Sequence, residues 1–327
     1  MDLSIIVPVY NEQDNIPLLY ESILNVSQTF DKSWELLFID DGSQDGSLTV
    51  LQELAIKDPA HVRVISFRRN FGQTAAIAAG IDHSNGDIIV MLDADMQNDP
   101  VDIPVLLAKL EEGYDVVSGW RNKRQDSFVS RTLPSQLANK LISWVTGVHL
   151  HDFGCTLKAY RREAVTGFRL YGEMHRFIPV YANSVGARIT EVPVNHHPRR
   201  FGKAKYGLER TIKVVLDLFV VKFLNAYASK PIYLFGGVGI VLILIALALL
   251  LFLLIRRVWF GVSVFESPFF QMSTMVFILG FQSILMGLIA ELLARTYHES
   301  QGKRNYTVHK YINFPESDIP ETSHTTK

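Results

Sequence analysis

The sequence predicts an α/β protein: a mainly parallel sheet with helices on both faces, followed by a C-terminal third that enters a membrane. Three observations carry this expectation. Strand-like and helix-like segments alternate through residues 1–205. The strand-like runs are almost continuously apolar, as suits strands buried on both faces rather than one. Two long uncharged runs then occupy residues 232–255 and 268–290.

The elements follow in order. "LSIIVPVY" (3–10), "WELLFIDD" (34–41), "VRVISF" (62–67) and "DIIVMLDAD" (87–95) read as strands, being short, β-rich and bounded by turn residues. Between them, "EQDNIPLLYESILNV", "DGSLTVLQELAIK", "TAAIAAGIDHS" and "IPVLLAKLEEG" space their apolar residues three and four apart, the period of a helix with one buried face. In "DDGSQDGS", Gly42 permits a tight turn, and Ser43 or Asp45 suits a cap for the helix that begins near Ser47. "YDVVSGWR" (114–121) predicts a further strand, and "RNKRQDSFVSR" (121–131) a charged loop. "ARITEVPVNHHPRRFGKAKYG" (187–207) reads as a late strand running into a basic loop. Residues 206–230 carry apolar positions mostly on one side and read as an interfacial helix, with a plain core-facing helix as the competing reading. The tail after Asn305 is polar and reads as loose.

The two uncharged runs, "IYLFGGVGIVLILIALALLLFLLI" and "PFFQMSTMVFILGFQSILMGLIA", are each long enough to cross a hydrocarbon core of roughly 30 Å as a helix. A short connection makes them an antiparallel hairpin, within which Gln271, Gln282, Ser273 and Ser283 can bond across the helices. Lys222, Lys230, Arg295, Lys303 and Arg304 flank its outer ends, against Arg256 and Arg257 in the connection. This bias places the large domain and both termini in the cytoplasm. The expected organisation is a domain at 1–205, a juxtamembrane helix at 206–230, a hairpin at 231–294 and a cytoplasmic tail at 295–327. "MDLSIIVPVY" reads as a first strand, not a signal peptide. A net charge of −1 gives no basis for a nucleic-acid partner, and the single cysteine, Cys155, excludes an internal disulfide framework.

Acidic residues mark the ends of successive strands: Glu12 and Asp14 after the first, Asp40 and Asp41 at the second, Asp93 and Asp95 at the fourth. In an open parallel sheet these ends share an edge, where ligands bind at the switch in strand order. Carboxylates gathered without a cation would repel one another, and a divalent metal removes that difficulty while also meeting substrate phosphates. No G-x-G-x-x-G and no G-x-x-x-x-G-K-[ST] loop is present. An Asp-x-Asp triplet at a strand end, with an acidic pair two strands earlier, suggests a nucleoside diphosphate held through a metal.

The segments "SIIVPVYNEQDNI", "FIDDGSQDGS", "RNFGQTAAIAAG" and "MLDADMQNDP" resemble family 2 glycosyltransferases of the Rossmann-like GT-A fold. The later "SGWR…SR…S" and "HDFGCTLKAYRREA" narrow the resemblance to polyisoprenyl-phosphate glycosyltransferases of the dolichol-phosphate mannose synthase type. The two C-terminal spans are similar to those of bactoprenol glucosyltransferases. The resemblance implies a nucleotide pocket of Pro8, Tyr10, Glu12, Asp40 and Asp41, and a metal site for Mg²⁺ or Mn²⁺ formed by Asp93, Asp95 and Gln97. It implies phosphate binding by Arg121, Arg131 and Ser135, with Asp152 at the acidic position near the acceptor. Arg200 and Lys205 in the basic loop suit a diphosphate or the lipid phosphate. A Q-x-x-R-W motif, found in processive members, is absent.

The function so implied is inverting transfer of a hexose, glucose from UDP-glucose in the first instance, to undecaprenyl or another polyprenyl phosphate. A GDP-mannose or aminoarabinose donor is the alternative within the fold, and a non-catalytic membrane scaffold with a structural cation site is the alternative outside it. A lipid phosphate, with a second pKa of about 6, needs little help from a base, so Asp152 is expected to orient groups more than to remove a proton. The hairpin offers a surface for a homo-oligomer. Plainer roles stand beside several of these. Asp40 also suits a turn cap, Asp99 an N-cap before Pro100, His175 a partly buried histidine, His196 and His197 loop residues, and Cys155 a core position.

Overall fold

The computed structural model describes residues 1–121, 139–167 apart from 141 and 145, 170, 174–198, 232–300 apart from 262 and 266, and 306–315. Arg131, Ser135, Arg200, Lys205 and the expected interfacial helix at 206–230 lie outside the described residues. The chain divides into two units, Met1–Val221 with Arg304–Lys327, and Lys222–Lys303.

In the first unit, β1 (Leu3–Val9), α1 (Ile16–Ser27), β2 (Trp34–Asp40), α2 (Ser47–Lys57), β3 (Val62–Phe67), α3 (Gln73–His83), β4 (Ile88–Met91), α4 (Ile103–Glu111) and β5 (Val116–Trp120) follow the expected alternation. They are succeeded by β6 (Lys158–Arg161), α5 (Ile178–Ser184), β7 (Ile189–Pro193) and, after the second unit, β8 (Val308–Ile312). The sheet order is β7-β5-β6-β4-β1-β2-β3-β8. β4, β1, β2 and β3 are parallel, and β6 and β8 run antiparallel to their neighbours. β1 thus has β2 on one side and β4 on the other, and the strand order switches there. Ligands of open α/β sheets bind outside the carboxyl ends at such a switch.

Near-continuous apolar strands let both faces of the sheet be covered. On one face Leu3, Ile5, Val7, Leu36 and Phe38 pack with Ile16, Leu19 and Ile23 of α1, Leu51 of α2, and Leu106 and Leu110 of α4. On the other, α3 lies so close that a Cβ at Gly80 would stand 2.3 Å from the Ile6 side chain. Prolines at the first helical positions of α1 and α4 fit the ends where no intrahelical N–H partner is needed. At the opposite edge from the strand ends that matter for function, buried Glu35 accepts from Ser4 Oγ and Asn85 N (both 2.6 Å) and pairs with Arg63 at 3.1 Å.

Two strands depart from the sequence reading. β6, "KAYR", carries no apolar run, yet it fills the gap between β4 and β5. The tail expected to be loose after Asn305 instead forms β8, which pairs with β3 and covers that edge of the sheet. Side chains lock it in place. Tyr306 stacks on Phe67 and donates to Asp82 (2.8 Å), Tyr311 meets His83 (3.1 Å), and Asn313 Nδ2 donates to the carbonyls of Ala55 (2.7 Å) and Val62 (2.9 Å).

The second unit is a helical hairpin, α6 (Ile232–Phe260) and α7 (Pro268–Ser300). Both are long and apolar enough to cross a membrane, with an 18-residue stretch of mean hydropathy 3.5 inside Phe235–Phe260 and one of 1.9 inside Pro268–Ala290. Only 17% of each apolar window is buried, unlike the core helix of a soluble domain. The helices cross where Gly239 and Gly280 meet; a Cβ on either would come within 2.8 Å of the other's carbonyl oxygen. Ser273 and Ser283 donate across the hairpin to the carbonyls of Ala246 and Phe235 (2.8 Å each), as the sequence predicts, whereas Gln271 and Gln282 lie on exposed faces.

Asn313 stands at a positive φ of 60° and makes two bonds to carbonyls. Replacing it by alanine removes both and strains the backbone, an expected loss of about 2 kcal/mol. A thermal melt of the detergent-solubilised Asn313→Ala protein that matches wild type would show β8 to be a passive edge.

Candidate active site

The carboxyl ends of β1, β2 and β4 lie side by side, and the chain around them is held by loop-to-loop bonds. After β1, Asn11 turns at φ 54°, a conformation asparagine tolerates better than most residues. Its N–H donates to Ser43 Oγ (3.0 Å) and its Oδ1 accepts from Gln44 N (2.8 Å). Gln13 Oε1 accepts from Gly46 N (2.8 Å), and Glu12 N donates to Ser47 Oγ (2.9 Å). Asp45 Oδ1 accepts from Ser47 N (2.9 Å), so Asp45 tends the start of α2 while Ser43 serves the neighbouring loop. β1 runs past β4, which ends at Met91 opposite Ile6. Pro8, with no N–H to give, therefore falls beyond that ladder, and Pro8 and Tyr10 are half-buried at the strand end.

The acidic residues divide their work. Asp40 is buried, with Oδ1 accepting from Ser43 N (3.0 Å) and Oδ2 from Ser66 Oγ (2.9 Å), the bonds of a turn cap tied to β3. Asp41 turns the other way, and its two oxygens accept from Phe71 N (2.7 Å) and Gly72 N (2.9 Å). Gly42 between these loops sits at φ 68°, and a Cβ there would lie 2.4 Å from the Arg69 backbone. Burial pushes the Asp41 carboxyl up to about 6, against the two backbone N–H bonds that favour its ionised form. Glu12 Oε2 accepts from Asn15 Nδ2 (2.7 Å).

The Asp-x-Asp pair follows β4. Asp93 Oδ1 accepts from Gln73 Nε2 (2.7 Å), at the start of α3, and Oδ2 from Thr156 Oγ1 (2.6 Å). Asp95 is buried and its Oδ1 accepts from Gln97 N (3.2 Å), while Met96 between them takes φ 59°. Gln97 O receives His197 N (2.8 Å), fastening this turn to the segment after β7. Asp99 is the N-cap its sequence suggests: Oδ1 accepts from Val101 N (3.1 Å), and Oδ2 pairs with His197 at 2.9 Å. A cleft of about 300 Å³ lies beside this turn, between α1 and Met96–Pro100, and is not lined by Asp40, Asp41, Asp93 or Asp95.

Beyond β5, Arg121 meets Asp152 in a two-pronged pair, Nε to Oδ2 at 2.7 Å and Nη2 to Oδ1 at 3.0 Å. Gly154 N also donates to Asp152 Oδ1 (3.0 Å), and the carboxylate is only 1% exposed. Lys158 is buried in β6 and donates to the carbonyls of Phe153 (3.3 Å) and Cys155, which fixes the 152–156 loop; burial lowers its pKa. Cys155 is a core residue as expected, its thiol pushed up to about 11 by burial. His175 is buried and bonded to Thr74 Oγ1 at 2.7 Å.

The expectation that acidic strand ends gather around one cation is corrected in part. Among the described residues, no three of His, Cys, Asp and Glu stand close enough together to hold a metal. Asp40 and Asp41 are turned toward β3 and the loop before α3, which leaves Asp93 and Asp95 as the carboxylate pair. Their oxygens are hard donors held in fixed orientation, and they fit a cation that takes one or two protein carboxylates and completes its shell with phosphate oxygens. Gln73, Thr74, Thr156 and Lys158 were not singled out by the sequence reading. They stand in "RNFGQTAAIAAG" and "HDFGCTLKAYRREA", where their residue types gave no sign of which carboxylate or carbonyl they would meet.

The family model for glycosyl transferase family 2 matches residues 4–168. The chain belongs to that family. This glycosyltransferase is 39% identical over 311 residues to the dodecaprenyl-phosphate galacturonate synthase of Rhizobium johnstonii, covering 94% of this chain and 92% of that protein. It is 38% identical over 320 residues to the undecaprenyl-phosphate 4-deoxy-4-formamido-L-arabinose transferase of Klebsiella pneumoniae subsp. pneumoniae, covering 98% and 96%. Among solved structures, glucosyl-3-phosphoglycerate synthase from Mycobacterium tuberculosis, in complex with Mn²⁺, UDP-glucose and phosphoglyceric acid, aligns with a TM-score of 0.50 at 20% identity. That alignment covers 68% of this chain and 79% of the other, and the fold is the expected GT-A arrangement.

The pair between Arg121 and Asp152 yields a stability test. Asp152→Asn removes the charge that Arg121 faces and leaves a largely buried cation, an expected cost of about 3 kcal/mol. A melting temperature unchanged from wild type would mean that Arg121 finds another anion.

Proposed function

We propose that this glycosyltransferase moves a sugar from a nucleoside diphosphate to a polyprenyl phosphate at a membrane surface, with inversion at the anomeric carbon. The observation that carries the reading is an Asp-x-Asp pair fixed at the switch point of the sheet, with Arg121 within electrostatic reach of Asp93. The same chain carries a hairpin apolar enough to reach a lipid-embedded acceptor. The names of the relatives, both polyprenyl-phosphate enzymes aligned over nearly the whole chain, support the acceptor class.

The chemistry follows from charge. Loss of the nucleoside diphosphate builds negative charge, and a divalent cation, Mg²⁺ or Mn²⁺, offsets it when bound at Asp93 and Asp95, with Gln97 beside them. Pro8, Tyr10, Glu12 and Asp41 border the strand ends where the nucleotide is placed, and Asp40 orders the turn that presents Asp41. Arg121 supplies a fixed cation whose direction is set by Asp152. A dianionic acceptor phosphate attacks without a strong base, which agrees with Asp152 having both oxygens engaged by donors. Arg131, Ser135, Arg200 and Lys205 complete the proposal as phosphate-binding residues.

Two spans return the chain to its starting side, and β8 needs that return to pair with β3. The basic flanks of the hairpin support a cytoplasmic side for the catalytic unit. Glucose from UDP-glucose is the donor implied by the resemblance to bactoprenol glucosyltransferases, with GDP-mannose or an aminoarabinose donor as the alternative. The names of the two relatives support galacturonate or 4-deoxy-4-formamido-L-arabinose instead, and the donor panel decides among them.

The deciding experiment supplies purified protein with undecaprenyl phosphate, Mg²⁺ or Mn²⁺, and a panel of UDP-glucose, UDP-galacturonate, UDP-4-deoxy-4-formamido-L-arabinose and GDP-mannose. One donor is expected to yield a lipid-linked sugar, and Asp95→Asn to lower turnover by roughly 100-fold or more. Absence of any lipid-linked product with every donor would sink the proposal.

Asp41 adds a pH dependence. With its carboxyl pushed up to about 6, it is mostly ionised at pH 7.5 and mostly protonated at pH 5. Protonation removes the anion that holds the Phe71 and Gly72 N–H groups, so nucleotide affinity is expected to fall as pH drops through about 6. Calorimetric binding of the intact nucleotide sugar, whose phosphates are both esterified and do not titrate near pH 6, isolates this effect, since a free nucleoside diphosphate and the lipid phosphate both titrate in the same range. A flat affinity between pH 7.5 and 5 would remove Asp41 from the pocket.

A further inference from the structure

Asp93 differs from the other strand-end carboxylates in what holds it. Asp40 and Asp41 each draw on at least one backbone N–H, whereas Asp93 is grasped by side chains from two separate elements. Gln73 comes from the first position of α3, and Thr156 from the loop between Asp152 and β6. The bonds are short, 2.7 Å and 2.6 Å, and each carboxylate oxygen receives one of them. A half-buried carboxylate with one donor on each oxygen is confined to one rotation of its head group.

Both donors are themselves anchored. The residue before Gln73 is Gly72, whose N–H is held by Asp41 at 2.9 Å, and the residue after it is Thr74, whose hydroxyl meets His175 at 2.7 Å. Thr156 follows Cys155, whose carbonyl accepts from buried Lys158 and whose thiol meets Asn98 Oδ1 at 3.5 Å. The hydroxyl and the amide are both directed at an Asp-x-Asp carboxylate, one on each oxygen.

We propose that Gln73 and Thr156 are positioning residues that fix the Asp93 head group, and thereby set the affinity of this site for a divalent cation together with a diphosphate. The inference rests on the reading of Asp93 and Asp95 as the pair that meets the cation. Groups that orient a metal's carboxylate ligands typically alter metal affinity by roughly 10- to 100-fold when removed, because a mobile ligand must be ordered on binding. Gln73 also links the pair to the nucleotide side, since the loop that starts α3 is the one Asp41 grips.

The test titrates Mn²⁺ into the full-length protein in detergent, in the presence of UDP and separately of GDP, and follows free Mn²⁺ by electron paramagnetic resonance. Thr156→Val keeps the volume and removes the hydroxyl, and Gln73→Met keeps the length and removes the amide. Each is expected to weaken Mn²⁺ binding by about 10-fold or more while the melting temperature without metal stays near that of wild type. Thr156→Ser, which restores the hydroxyl, is expected to return most of the affinity. In turnover, the apparent metal requirement should rise more than saturated kcat falls. Wild-type Mn²⁺ affinity in both Thr156→Val and Gln73→Met would overturn this inference and leave the functional proposal standing. A wild-type protein that binds no Mn²⁺ with either nucleotide would overturn both.

Discussion

Carboxylates buried where parallel strands end are the constraint around which this catalytic unit is arranged. A carboxylate removed from water must receive hydrogen bonds or a counter-charge, or it gives up its ionisation. Asp40, Asp41 and Asp152 are all nearly inaccessible, and Asp93 is half-buried. Each is matched by donors that belong to a different part of the chain. Ser66 reaches Asp40 from β3, Phe71 and Gly72 reach Asp41 from the loop before α3, Gln73 and Thr156 reach Asp93, and Arg121 reaches Asp152 from the end of β5. Satisfying these acids therefore ties together the loops that form the crevice. Removing one acid loosens two segments, which is why residues of this kind affect stability and chemistry together.

The acids are legible in the sequence and their tasks are not. Apolar runs and three-to-four-residue spacing are local properties, and they placed β1 to β5 and α1 to α4 within a few residues of their observed limits. Whether an aspartate at a strand end is a ligand or a cap depends on donors remote in sequence. Asp40 and Ser66 are such a pair, as are Asp93 and Thr156, and nothing local joins them. Asp99 was legible because its partner, Val101 N, lies two residues away. The two strands that were missed fail for related reasons. β6 holds a buried lysine whose ammonium is satisfied by carbonyls of its own preceding loop, so its sequence looks too polar for a central strand. β8 exists only because β3 offers an unpaired edge more than 200 positions earlier in the chain.

The chain that follows the apolar hairpin returns to the sheet of the first unit and pairs with β3. Tyr306 stacks on Phe67, Phe67 meets Phe71 edge to face at 5.7 Å, and the Phe71 N–H holds Asp41. Tyr306, just before the C-terminal strand, thus supports through two aromatic contacts the loop that bonds to Asp41. An edge strand also closes a surface that would otherwise pair with other chains. One feature of the fold, unreadable from the tail's polar composition, both covers a sheet edge and supports the loop around Asp41.

The state of Asp152 bears on how much catalysis the protein must provide. A sugar hydroxyl as acceptor needs a base with an accessible lone pair and freedom to take a proton. Asp152 is 1% exposed and receives two bonds from Arg121 and a third from Gly154, so both its oxygens are already engaged by donors. A phosphate acceptor arrives already ionised at neutral pH and asks instead for cations in fixed places. Arg121, held by its two-pronged pair with Asp152, is a cation fixed in this way. Under the proposed function, the burial of Asp152 and a phosphate acceptor are two sides of one division of labour, in which the acceptor brings the charge and the protein fixes the geometry.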